Sequence, residues 1–242
     1  MIKSSLLRVL ALAAVFVIAL SASAAAQDAR IKVHVRVEGV KSTLFNGDVT
    51  VSPGMMTPTK GEGRSSHLCN VAANGGGGGA AATPTRALQA AAEQAPGDRL
   101  LPLGLEWYDS FNDFLVDANT SEMPSGNDYW DFSVNWKMAL TLGAGGCGVA
   151  LKNGDTVLWA LFDETRPALR LIAPASARKG RPFGVRVING ETGKGIAGAH
   201  VGGAITDSGG KAKLTLRSVG KRILRATKSG AVRSNSQTVE LR

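Results

Sequence analysis

Cysteine and histidine are scarce in this chain of 242 residues: Cys69 and Cys147 are its thiols, and His34, His67 and His200 its imidazoles. A closed structural zinc site takes four such ligands, so His67 and Cys69, close in sequence, supply only half of one. The histidines lie far apart, none beside an evident nucleophile, so no nucleophile and base pair is legible. The five glycines at 75–79 are followed by no Lys with Ser or Thr, which excludes a phosphate-cradling P-loop. Beyond residue 26 no apolar run approaches the ~20 residues of a membrane-spanning helix. Aromatic residues are few, and all four tryptophans, Trp107, Trp130, Trp136 and Trp159, lie before residue 167.

The start of the chain is different in kind. Residues 1–8 carry Lys3 and Arg8 and no acid, residues 9–20 are unbroken apolar sequence, and residues 21–26 are small and end in three alanines. That order is a secretory signal, with cleavage expected after Ala24 or Ala26. Joined to the small residues behind it, the apolar run just reaches membrane-spanning length, so an uncleaved anchor is the alternative. Export leads to an oxidising compartment, where the two cysteines are expected to pair as a disulfide.

Formal net charge is +9, but it is unevenly spread. Residues 27–166 hold 11 Lys and Arg against 16 Asp and Glu, whereas residues 167–242 hold 15 against 3. Two domains are therefore expected, one acidic and one basic. A basic exported module suits an anionic envelope polymer, and its bland alternative is a solvated face that keeps the protein soluble. Lipid headgroups and nucleic acid are further anions that such a module suits, and of these nucleic acid is not the partner expected.

Within 27–166, Ile31, Val33, Val35 and Val37 alternate with Lys32, His34, Arg36 and Glu38, the pattern of a strand with one buried face. Residues 47–51 read as its hairpin partner, returning through a turn at Phe45, Asn46 and Gly47. Residues from 52 to about 84 are rich in Gly, Ser, Pro and Thr and read as a flexible insertion pinned at Cys69. Thr83 and Pro84 then cap a helix over 86–95 that Pro96 and Gly97 end. Strands are expected at 114–116, 129–134 and 157–162, which makes an α+β domain with one helix on a mixed sheet. In 167–242, six short strands at close spacing without a helix predict a small β-sandwich. The fold class is thus mainly β with one helix.

At 129–162 the sequence reads Tyr129, Trp130, Asp131, Phe132, Ser133, Val134, Asn135, then a glycine-rich stretch through Gly146, Cys147 and Gly148, then Asn153, Gly154, Asp155 and Thr156. This resembles the transcobalamin C-terminal-like family of β-grasp domains found in exported bacterial proteins. The resemblance implies a β-grasp-like domain over 27–166 that caps a small molecule, as the related domain covers a corrinoid in cobalamin carriers. This chain lacks the helical partner domain of those carriers, so no cofactor is expected. The family's usual glycine after the asparagine is Trp136 here, which makes the hairpin tip bulkier and stickier. Residues 195–234 are similar to immunoglobulin-like or carboxypeptidase-regulatory-like sandwiches, which implies a spacer or adhesive module.

Acidic residues gather at Glu106, Asp109, Asp113 and Asp117 and again at Glu122, Asp128 and Asp131, but without the spacing of a calcium-binding EF-hand loop. They read as a solvated face. Trp130, Asn135 and Trp136 are the expected contact residues, Trp136 foremost because tryptophan concentrates in binding hot spots and this one adjoins a turn. The functional expectation is a secreted or cell-surface, non-catalytic binding protein. Its first domain contacts a small molecule or surface partner, and its basic domain an anionic envelope polymer. The alternative is a structural or adhesive module with no small-molecule ligand.

Overall fold

The computed structural model describes residues 30–61, 65–76, 79–98, 100, 103–116, 129–143, 145–162 and 166–242. The signal segment 1–26 lies outside the described residues, as do Asp117, Glu122 and Asp128. The chain is mainly β, with several sheets and two α-helices among the described residues.

Strand β1 (Ile31–Glu38) buries Val33, Val35 and Val37 on one face, as the alternation requires. Its antiparallel partner β2 (Thr43–Val51) begins earlier than expected. The turn sits at 39–42, closed by the Gly39 N–H donating to Ser42 at 2.9 Å, while Phe45, Asn46 and Gly47 lie inside the strand opposite Val37, Arg36 and Val35. The reason is Leu44, which is buried with Val49 and Val51 and pulls the strand out to reach the core. A register shift beside Val37 and Glu38 absorbs the extra residue.

The segment from 52 to 84 is not the featureless excursion its composition suggests. Strands β3 (Gly54–Met56) and β4 (His67–Cys69) form a hairpin, and Met56, Cys69 and Val71 are buried. Cys69 is joined to Cys147, with 5.0 Å between the Cα atoms and a sequence separation of 78. A few apolar anchors and one covalent tie thus order a stretch that lacks periodicity.

Helix α1 (Pro84–Gln94) begins as its caps dictate: Thr83 is extended, its hydroxyl accepts from the Arg86 N–H at 3.4 Å, and Pro84 opens the first turn. Ala87, Leu88, Ala91 and Ala92 face the sheet, and the small alanines let the helix lie close on it. Next come strands β5 (Leu105–Tyr108) and β6 (Asp113–Val116), a separate antiparallel hairpin, then β7 (Tyr129–Val134), β8 (Lys137–Met138), the one-turn helix α2 (Ala139–Leu142) and β9 (Thr156–Phe162). Both β5 and α2 are additions to the sequence reading. The main sheet runs β2-β1-β9-β7-β8, with β1 and β9 parallel at its centre and the other pairs antiparallel. Phe132, Val157, Trp159 and Leu161 join the β1 valines under α1 in one core.

The second unit has its own core. Strands β10 (Leu169–Ile172), β11 (Ser176–Ala177), β12 (Phe183–Asn189), β13 (His200–Val201), β14 (Ala204–Ile205), β15 (Lys211–Leu214), β16 (Gly220–Leu224), β17 (Ala226–Thr227) and β18 (Gln237–Leu241) form three small sheets. Their orders are β10-β12-β15, β11-β18-β16 and β14-β13-β17. Leu169, Leu171, Val187, Leu214, Val239 and Leu241 pack between them. Gly210 turns the chain into β15 with φ +75, and a Cβ there would lie 2.2 Å from the Val187 carbonyl oxygen, so only glycine fits.

Candidate functional site

The face of the main sheet turned away from α1 carries Arg36 and Glu38 from β1 and Leu158 and Ala160 from β9. Alternation alone would leave Arg36 and Glu38 in solvent. Instead the second unit covers them, and they are 3% and 2% exposed. Leu158 and Ala160 pack on Ala168 and Val232, with Trp136 and Met138 at the margin. The Glu38 carboxylate accepts from the Thr43 hydroxyl at 3.0 Å, from Arg36 Nη1 at 3.2 Å and from Arg233 Nε at 2.9 Å. Arg225 Nη1 lies 3.6 Å from it and donates to the Thr43 hydroxyl. Arg233 also donates to the carbonyls of Val40 at 2.9 Å and Gly39 at 2.6 Å, and Arg36 donates to the Arg233 carbonyl at 2.7 Å. One buried carboxylate therefore holds three guanidinium groups, two of them from the other unit. Burial lowers the pKa of Arg36 to about 10, with Arg225 and Arg233 pushing the same way and Glu38 opposing, so Arg36 stays charged at neutral pH.

Trp136 belongs to this interface. Asn135 and Trp136 form the two-residue turn between β7 and β8, both at positive φ, 50 and 73. For a tryptophan that backbone costs about 1–2 kcal/mol. Its ring lies between the guanidinium groups of Arg36 and Arg170, 5.9 and 5.5 Å from the ring centre, and against Gly190, where a Cβ would come 2.1 Å from the ring. The half-buried Trp136 is thus an interdomain wedge, which corrects its reading as an exposed contact. Trp136→Ala keeps the strained turn and loses the ring, whereas Trp136→Gly loses the ring and relieves the turn. Chemical denaturation should therefore find the alanine variant less stable than the glycine variant by about 1 kcal/mol. Equal stabilities, or the reverse order, would show that the backbone at position 136 is not strained.

Of the other two expected contacts, Asn135 is at the surface and Trp130 is not. Asn135 is exposed, but its amide donates to Asp155 Oδ1 at 2.8 Å and its carbonyl accepts from the Thr156 N–H at 3.0 Å, which ties two turns together. Trp130 is 6% exposed and sits in the core, its indole N–H without a partner among the described residues.

A different surface gathers the aromatics. In the β5-β6 hairpin, Trp107 stacks on His67 with ring centres 3.8 Å apart and meets Phe114 edge-on at 5.0 Å. Tyr108 and Phe111 approach to 6.2 Å. The hairpin tip is stitched to the loop after Cys69: Asn74 Nδ2 donates to the Asn112 carbonyl at 2.6 Å, and Asn112 Nδ2 to the Ala73 carbonyl at 2.5 Å. Beneath it, the buried Asp113 carboxylate accepts from the N–H groups of Phe114 at 2.7 Å and Cys147 at 3.0 Å. Burial raises the pKa of Asp113, against the pull of those backbone donors. A groove of about 630 Å³ results, lined by Tyr108, Phe111, Phe114 and Leu115 with Asn74, Gly75, Asp113, Gly143 and Gly145. Phe111 is 76% exposed and Leu115 45%. No strand pattern marks β5 in the sequence, and the available signal is Trp107, Tyr108 and Phe111 around Asp109 and Ser110.

Among the described residues the acidic side chains gather no metal-binding cluster: no three His, Cys, Asp or Glu side chains are placed to hold a metal ion. Asp113 is buried rather than solvated, and Asp131 is pushed up to about 6 by desolvation, against the Phe132 N–H donor. A carboxyl whose folded pKa lies above its unfolded value of about 3.9 stabilises most below that value, and the contribution is lost as pH rises through about 6. Asp131→Asn should therefore gain on the order of 1 kcal/mol relative to the parent at pH 8 but not at pH 4, read from denaturation midpoints. An equal effect at both pH values would contradict this ionisation.

No protein-family model matches this chain, and no curated protein or solved structure matches it either. Functional inference rests on the chain's own surfaces. Of these, the aromatic groove has the volume and lining of small-molecule sites, which run to roughly 300–1,000 Å³ and are mostly apolar with a few fixed polar groups. No helix among the described residues is long and apolar enough to cross a membrane.

Proposed function

We propose that the chain is an exported, non-catalytic binding protein, acting outside the cell or at its surface once residues 1–26 are removed. The first unit is a transcobalamin C-terminal-like β-grasp domain and the second an immunoglobulin-like sandwich. Support for the first assignment is the sheet order, a hairpin, a packed helix and a last strand parallel to the first at the sheet centre. Support for the second is three small sheets around one core without a helix among the described residues.

The observation that carries the functional reading is the groove beside Phe111. The exposed Phe111 and half-buried Tyr108, on a hairpin that is braced by Asp113 and stands beside the Cys147 loop, offer a preorganised apolar surface. Its ligand is a small, largely apolar molecule with a polar group to meet Asn74. The basic unit contributes a separate contact. Arg186 and Lys211 are paired across β12 and β15, with Lys213 further along β15, all exposed and suited to an anionic envelope polymer.

The test uses anilinonaphthalene sulfonate as an apolar probe, followed by thermal shift with a small-molecule panel that includes corrinoids. The folded protein should take the probe at one saturable site, and Phe111→Ala should weaken it about tenfold, the loss of one well-packed aromatic contact. Absence of saturable binding, or indifference to Phe111→Ala, would overturn the groove reading. The Glu38 interface favours a second reading, a structural or adhesive module in which two units form one rigid spacer. Failure of both the probe and a polyanion to bind would select it.

A further inference from the structure

A second cavity, of about 190 Å³, lies between the outer face of the main sheet and the second unit. Strand register decides what points into it. Val33, Val35, Phe132, Val134, Val157 and Trp159 face the core under α1, so the residues alternating with them face the other way. One row across that outer face runs Asn46, Arg36, Leu158, Ser133, and the row beside it Asp48, His34, Thr156. All of these except Asp48 line the cavity together with Trp136, and Asn235 and Ser236 close it from the second unit. The charged groups of the wall are engaged: Arg36 gives Nη1 to Glu38 at 3.2 Å and to the Arg233 carbonyl at 2.7 Å, and the His34 ring meets Asp48 at 2.9 Å and Asn46 at 3.3 Å. Two neutral hydroxyls are not. Ser133 is 2% exposed, yet among the described residues neither its hydroxyl nor that of Thr156 has a hydrogen-bond partner. The enclosed side-chain atoms left without a partner are Thr85 Oγ1 and Trp130 Nε1, so the Ser133 hydroxyl opens on the cavity instead.

We infer that this cavity between the units binds one sugar ring, free or as the end residue of a glycan. Its volume is the liquid share of about six waters, below the roughly 300–1,000 Å³ of drug-sized sites and fit for a single small ring. A ligand that enters must replace the hydrogen bonds these groups make to water, which an apolar molecule does not do and a polyol does. The Ser133 and Thr156 hydroxyls can each give and accept a bond, as sugar hydroxyls can. The exposed Asn46 adds an amide at the margin, and Leu158 gives an apolar floor between Arg36 and Ser133. From the second unit the Ser236 hydroxyl accepts from Arg225 Nε at 2.7 Å and keeps its own proton to donate. A sugar held there touches both units. The site shares no lining residue with the groove beside Phe111 and stands apart from the function proposed above.

The test follows backbone amides of the isotope-labelled mature chain during titration with glucose, galactose, mannose and N-acetylglucosamine, against glycerol at equal concentration. At least one sugar should give saturable shifts at Ser133, Thr156 and Ser236, and glycerol none. The double variant Ser133→Ala with Thr156→Val should weaken that binding at least about tenfold, with little change in denaturation midpoint because neither hydroxyl has a partner to lose. Thr215→Val removes an exposed hydroxyl outside the cavity and should leave the binding within about twofold. Binding of the methyl glycoside as well supports the end residue of a glycan, and binding of the free sugar alone a free ligand. No saturable shifts, shifts centred on Phe111, or equal weakening by the double variant and Thr215→Val would overturn the inference. Each of those results leaves the apolar groove and the polymer contact to their own tests.

Discussion

Glu38→Ala should destabilise the protein by about 3–5 kcal/mol, the range found when one partner is removed from a buried ionic network. Arg36, Arg225 and Arg233 would then face one another with no counter-charge. Solvent reaches the partly exposed Arg225 and Arg233, but not the enclosed Arg36, which would be left buried and unpaired. The loss should not spread evenly. Each unit has its own core, so unfolding in denaturant should split from one transition into two as the units part. Glu38→Gln retains an acceptor for Thr43 and should fall between. A Glu38→Ala chain within 1 kcal/mol of the parent, still unfolding in one step, would show that the carboxylate is not the clasp.

Opening the Cys69–Cys147 bond should have a comparable effect for a different reason. With a sequence separation of 78 between the cysteines, the chain-entropy model assigns the cross-link about 4 kcal/mol, exerted on the unfolded state. The folded state loses something as well, because the Cys147 N–H is what Asp113 holds beneath the aromatic groove. A Cys69→Ser, Cys147→Ser chain should therefore unfold at a lower denaturant concentration and also bind the apolar probe more weakly. Adding reductant to the parent should reproduce both changes. An unchanged midpoint would remove the covalent tie from the account of how 52–84 is ordered.

What the sequence made legible is what short-range physics controls. The β1 alternation, the Thr83-Pro84 cap and the Asn153, Gly154, Asp155 turn each act through neighbours a few residues away, and each appears in place. The β3-β4 hairpin and β5 did not show, because strands of three or four residues carry few alternations, and β6 was legible only as a short apolar run at 114–116. Arg36 and Glu38 look like the wet side of a strand, and nothing local reveals that Arg225 and Arg233, nearly 200 residues on, dry them out. The charge split was visible, but part of it is spent within the molecule. Trp136 in place of glycine was the clearest local anomaly. Its ring packs beside Arg36 of the first unit and against Arg170 and Gly190 of the second, contacts that no local pattern announces.

The groove is the surface on which the functional account depends. Titrating anilinonaphthalene sulfonate into the isotope-labelled mature chain and following backbone amides locates the occupied site directly. The account predicts shifts concentrated at Asn74, Tyr108, Phe111, Leu115, Gly143 and Gly145, with the second unit still. Shifts spread over both units, or centred on 167–242, would contradict it.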